Sequence, residues 1–142
     1  MAMMGVNIYE TRQYISKNEP DKDNPSIFIL GILDPNIRAH IDDQTTQMEF
    51  SAGGPQEKAK ANIAIGKRSL LAVKFGLKGL ENFIDPQAKK PVVFDKISVS
   101  IGGKNYDAVS DPILALLGNE LRNELSEEIL KENSLTEEQK KN

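Results

Sequence analysis

Few residues in this sequence have the types and spacing that chemistry requires. His40 is the only histidine, and it stands beside Asp42 and Asp43, a grouping from which a metal site or an acid–base pair could be built. Adjacent helical residues point about 100° apart, however, so the two aspartates cannot converge on one ion. His40 precedes Ile41 at the margin of an apolar stripe and reads as a boundary or surface histidine. Asp21-Lys22-Asp23-Asn24-Pro25 echoes a calcium loop, yet proline fills the fifth position and no glycine follows at the sixth. Gly66-Lys67-Arg68-Ser69 echoes the end of a phosphate loop. There Ala61 replaces the required upstream glycine, Arg68 separates Lys67 from the serine, and no strand precedes. With one histidine and no cysteine, Ser-His-Asp and Cys-His arrangements have almost nothing to work with. Carboxylates are plentiful, but nothing singles out a glycosidase-like pair. The expectation is a protein without catalytic residues, metal ligands or a cofactor.

Charge distribution is the one clear asymmetry. Between Glu57 and Lys78 lie Lys58, Lys60, Lys67, Arg68, Lys74 and Lys78. On one continuous helix, Lys60, Lys67, Lys74 and Lys78 would form a line, as a phosphate-backbone tracker requires. Such a stripe more commonly borders an apolar face, with lysine stems covering it, and only Phe75 is interleaved for base stacking. The segment from Asn119 to Asn142 carries net −3, which fits either a solvated helix or an acidic tail that pairs with the basic helix, within the chain or between copies.

The elements that would position these residues alternate in kind. The chain has 142 residues, 39% hydrophobic and 27% charged, with net charge −3, in the range of one domain with a sizeable core. No apolar run reaches the roughly 18 residues of a membrane span, no export signal opens the chain, and zero cysteines fit a reducing compartment. Val6 to Ile15 has β character. A polar loop with two prolines follows, and then Ser26 to Leu33 reads as a buried strand, giving an antiparallel pair. Asp34-Pro35 is a helix cap followed by an N1 proline, opening a helix to about Met48 with Ile37, Ile41 and Met48 on one face. Ser51 to Pro55 reads as a mobile loop. Gln56 to Leu80 reads as helix, one kinked at Gly66 or two separated there, with Ile63, Leu70, Val73 and Leu77 as its stripe and Gly76 and Gly79 ending it.

Val92-Val93-Phe94 and Ile97 to Ile101 read as strands, the second joined to Lys104–Val109 by a Gly102-Gly103 hairpin turn. Asp111-Pro112 repeats the cap-plus-proline device. Gly118 separates that helix from a final one carrying Leu121, Leu125, Ile129 and Leu130, acidic on its outer face. Thr136 with Gln139 forms a capping box, stapled by Leu135. The expected fold is α+β: an N-terminal antiparallel strand pair, central helices, a small β-hairpin and a C-terminal helical tail. Residues 1–133 form one domain and 134–142 a polar tail.

Three stretches together carry a family resemblance. They are Phe28-Ile29-Leu30 running into the helix with Ile37-Arg38-Ala39, the phrase Val73-Lys74-Phe75-Gly76-Leu77-Lys78-Gly79-Leu80-Glu81-Asn82-Phe83, and the tail Leu130 to Asn142. In this order they resemble small bacteriophage tail-gene proteins of the tail assembly chaperone kind. The resemblance implies a protein of the host cytoplasm that escorts an aggregation-prone tail component, typically the tape-measure protein, by packing a helix in a groove. Either Leu70, Val73 and Leu77 or Leu121, Leu125 and Ile129 would supply that groove. A structural virion protein, such as a connector or tail-completion piece, is the alternative. A nucleic-acid-binding module using Lys58–Lys78 is disfavoured, and assembly of copies through sheet edges is left open.

Overall fold

The computed structural model describes residues 2–3, 5, 7, 9–50 and 57–141, with only the backbone described for 46–50, 57–64 and 132–141. The expected strand start at Val6 to Ile8 and the loop at Ser51 to Pro55 therefore lie outside the described residues in whole or part. The elements run β1 (Thr11–Tyr14), β2 (Ile27–Gly31), α1 (Pro35–Phe50), α2 (Glu57–Gly76), β3 (Leu77–Glu81), β4 (Ile84–Asp85), β5 (Lys90–Pro91), β6 (Lys96–Ile101), β7 (Lys104–Val109) and α3 (Asp111–Lys141). The fold is α+β. Its N-terminal strand pair is part of a three-stranded antiparallel sheet in the order β1-β2-β3, and β4-β5 and β6-β7 form separate two-stranded ladders.

β2 holds the centre of the larger sheet because it is apolar on both faces. Phe28 and Leu30 are buried in the core, while Ile29 lies over its cross-strand partner Gly79, where a Cβ would come within 3.1 Å of the Ile29 Cδ1. α1 begins as its sequence dictates: Asp34 accepts the Asn36 N–H on its side chain at 2.8 Å and the Arg38 N–H on its carbonyl at 2.9 Å. Its buried Ile37 and Ile41 face α2 and the sheet. Arg68 of α2 reaches Asp42 of α1 at 2.7 Å, so Asp42 serves as a bridge between two helices.

The Gly102-Gly103 turn joins β6 to β7 as expected. Both glycines have positive φ, 60° and 81°, as a type I′ hairpin turn needs. α3 contains a break at Gly118, whose φ of 75° and ψ of 164° are essentially closed to residues with a side chain. Arg122 donates back across that break to the Leu114 carbonyl at 2.6 Å.

Several local expectations are corrected. α2 stops at Gly76, and Leu77–Glu81 is a strand, not the last turn of a helix. Leu77 is buried by either route, so apolar spacing alone could not separate the two. Val92-Val93-Phe94 belongs to no strand. The Val92 N–H donates to the Phe83 carbonyl at 2.7 Å just beyond the short β4-β5 ladder, and Val93 is exposed. The first intrahelical bond of α3 runs from the Leu114 N–H to Ser110, so Ser110 takes the cap position and Pro112 sits one residue deeper than expected. Backbone helix continues from Gly118 past Thr136 to Lys141, so no new helix starts at the anticipated capping box.

The core gathers Phe28, Leu30, Ile37, Ile41, Val73, Phe75, Leu77, Val109, Leu125 and Ile129, among others, from both helical and sheet elements. Its tightest point is the end of α2. A Cβ on Gly76 would stand 2.7 Å from the Ile129 Cγ2 and 2.8 Å from its Cδ1. Gly76→Ala is expected to cost about 1–3 kcal/mol by overpacking, and Ile129→Ala about 2–5 kcal/mol by leaving a cavity. In urea unfolding of the double variant, the two costs should add to clearly less than their sum, because each relieves the other. Simple additivity would show that the contact is not what constrains this junction.

Candidate functional site

Either of two apolar faces, Leu70/Val73/Leu77 or Leu121/Leu125/Ile129, was expected to supply an open groove. Val73, Leu77, Leu125 and Ile129 instead lie in the protein's own core, at 0–2% exposure, because α2 and α3 pack against each other. Leu70 remains accessible on α2, and Leu121 is half-buried on α3. The basic stripe is divided in the same way. Lys67 and Lys74 are on α2, but Lys78 is on β3, so the four lysines do not share one helix face. The side chain of Lys60 lies outside the described residues. The stem of Lys78 crosses Gly31, whose added Cβ would meet its Cγ at 2.8 Å. Its amine faces a cavity of about 500 Å³ with Lys96, Lys104, Glu10, Asp34 and Asp107. Desolvation of the amine lowers its pKa, and the nearby Lys96 charge acts in the same direction against the opposing pull of Asp107. His40 is half-buried on α1.

Among the described residues, the acidic face of α3 makes no pair with the basic helix. Two of its acids, Glu124 and Glu128, turn to β1 and the residues after it. Arg12 donates to the Glu128 carboxylate at 3.1 Å and to its backbone carbonyl at 3.2 Å. Glu124 accepts from the Tyr14 hydroxyl, from the Ser16 hydroxyl at 2.8 Å and from the Lys17 N–H at 3.0 Å. Burial pushes the Glu124 carboxyl up, but these three donors outweigh it and hold the group below the ordinary carboxylate range. The Tyr14 phenol is pushed well up, by burial first and then by its bond to Glu124 and the negative charges around it.

This clasp forms one side of the larger cleft, about 840 Å³. Its floor is apolar: Phe28, Phe83, Leu117 and Leu121, with Ile84 half-exposed at 48% on the rim. Each wall is positioned by a local device. Phe83 meets Phe28 edge-on, with ring centroids 5.7 Å apart. Asn82 takes a left-handed backbone conformation, φ 55°, which asparagine tolerates better than most residues. Its side-chain amide donates to the Asn24 carbonyl at 2.8 Å, tying the loop after β1 to the end of β3. Within that loop Glu19 accepts the Asp21 and Ser26 N–H groups, and Asp21 accepts those of Asp23 and Asn24. The motif that faintly suggested calcium is thus a loop folded around its own amides. On the opposite side, the break at Gly118 redirects α3 between Leu117 and Leu121.

Glu19, Asp21, Glu120 and Glu124 line the cleft, and among the described residues no lysine or arginine does. No group of three metal-ligating side chains occurs among the described residues, and no helix there is long and apolar enough to cross a membrane. The sequence could have pointed to this cleft through one signal, the Glu81-Asn82-Phe83 phrase directly following Gly79-Leu80. Its other walls come from segments on both sides in the chain, as far off as Ser16 and Glu124.

No family model, no curated protein and no solved structure matches the chain.

The clasp predicts a pH dependence. Because Glu124 titrates below its ordinary value of about 4.3 when folded, its stabilisation is complete above that pH. It is lost as pH falls through the lower folded value. Tyr14→Phe is expected to lower stability by about 1–2 kcal/mol at neutral pH and to flatten the fall of stability below pH about 4.3. Denaturant melts of both proteins across that acid range measure it. Parallel acid profiles would remove the Tyr14–Glu124 bond from the account.

Proposed function

We propose that this chain is a non-catalytic phage morphogenesis protein, a tail assembly chaperone that holds the tape-measure protein or another tail component through the cleft between β3, the loop after β1 and α3. One observation carries this reading. The residues on which the resemblance rests, Phe28 and the phrase ending in Glu81-Asn82-Phe83, build an open cleft with an apolar floor. An apolar helix laid in such a groove would bury the half-exposed Ile84 and the accessible parts of Phe83 and Leu121. The groove differs from the two faces expected from spacing, since most of those residues are consumed by the chain's own core. Leu121 belongs to both descriptions.

The experiment is co-expression with the tape-measure protein from the same genome, with soluble yield and affinity capture as readouts. Ile84→Asp is the informative variant. It lies on the rim, where a charge costs little stability, whereas Leu125→Asp would place a charge in the core and unfold the protein. The tape measure should remain soluble with the natural chain and lose most of that protection with Ile84→Asp, at an unchanged melting temperature. Absence of association, together with recovery of the chain from purified particles, would replace the chaperone with a structural virion component.

A further inference from the structure

The chemistry of the occupant is encoded in the rim of the same cleft. We infer that the segment held there is an apolar helix flanked by lysine or arginine. This inference rests on reading the cleft as a protein-docking site and adds the partner's charge. Four carboxylates line the cleft, Glu19, Asp21, Glu120 and Glu124, and no basic side chain among the described residues lines it, the one cation acting on them being Lys17 beside Glu124. Glu19 and Asp21 each accept two backbone N–H groups of their loop, which fixes where their carboxylates sit. Glu124 is held ionised by Tyr14, Ser16 and Lys17. Glu120, exposed at the start of the redirected part of α3, makes no hydrogen bond or ion pair among the described residues and is free to meet a cation.

The accessible parts of Phe83 and Leu121, with Ile84 on the rim, favour apolar side chains from any partner, while Phe28 and Leu117 back them from within the core. The rim discriminates between partners: an acidic flank would set like charges against four fixed carboxylates in a partly desolvated site, while a basic flank meets an opposite charge on each side. The net negative field of the rim also speeds encounter with a basic segment in a salt-dependent way.

Two designed amphipathic helical peptides test this. They share one apolar face and differ only in flanking lysines or flanking glutamates, and the full chain is titrated with each at low and at high salt. The lysine peptide should bind at least about tenfold tighter at low salt, and the gap should narrow as ionic strength rises. Glu120→Lys should weaken the lysine peptide by about three- to tenfold and strengthen the glutamate peptide, with Glu120→Gln between them. Ile84→Asp should weaken both. Equal binding of the two peptides, with Ile84→Asp still disruptive, would overturn the charge inference and leave the docking reading in place. Binding of neither peptide, or binding insensitive to Ile84→Asp, would overturn both.

Discussion

Among the described glycines, Gly76 is held closest to a neighbour: Ile129 lies so near its backbone that even one added methyl group has no room. Gly76 is also the point where α2 becomes β3 without a connecting loop. The two facts belong together. A helix that passes directly into a strand must fix its exit direction within a residue or two, and the contact with α3 supplies that restraint. Val73, Phe75 and Leu77, on either side of the junction, are all buried, so the switch from helical to extended backbone happens inside the core. Packing at native density transmits such a restraint because it leaves little room to relax.

From that junction the site follows in a short chain of causes. β3 leaves Gly76 beside β2, Gly79 accepts Ile29 over its backbone, and Asn82 turns the strand out in a left-handed conformation. Asn82 then ties down the preceding loop, and Phe83 meets Phe28 to close the floor of the cleft. α3, anchored at one end of the same contact by Ile129, turns two of its acids toward β1, where Arg12 and Tyr14 receive them. Packing near Gly76 therefore sets the relative position of both walls of the cleft, although no atom of Gly76 faces it.

Legibility in the sequence followed the range of the signals. Asp34-Pro35 announced α1 because a cap and an N1 proline act within one turn, and Gly102-Gly103 announced its hairpin because the turn type needs positive φ at both positions. Gly118 was legible as a break for the same reason. β3 was hidden because Leu70, Val73 and Leu77 keep helical spacing straight across the junction, and what ends α2 is a contact with Ile129, 53 positions later in the chain. The pairing of α3's acids was hidden by distance as well. Glu124 and Glu128 look like a solvated helix face until β1 is placed beside them. The apolar faces read as surfaces for another protein, whereas Val73, Leu77, Leu125 and Ile129 lie in the chain's own core.

The cleft's carboxylates serve the fold and the surface at once, which limits how the site could have been built. Glu124 holds β1 against α3 best when it is ionised, and Glu19 and Asp21 order their loop as acceptors of its amides. The same hydrogen bonds that order the walls therefore also fix the positions of their carboxylates, and at Glu124 they favour the charged form. A docking surface made this way needs little reorganisation on binding, since its side chains are already held by the fold, and the ordering cost that weakens many protein contacts is reduced. It also has little freedom to change sign: replacing any of these three acids to suit an acidic partner would release a wall. Glu120 is the exception, because it holds nothing in place. Specificity in this cleft can vary at Glu120 and at the apolar rim, while the rest of its charge is fixed by the requirements of folding.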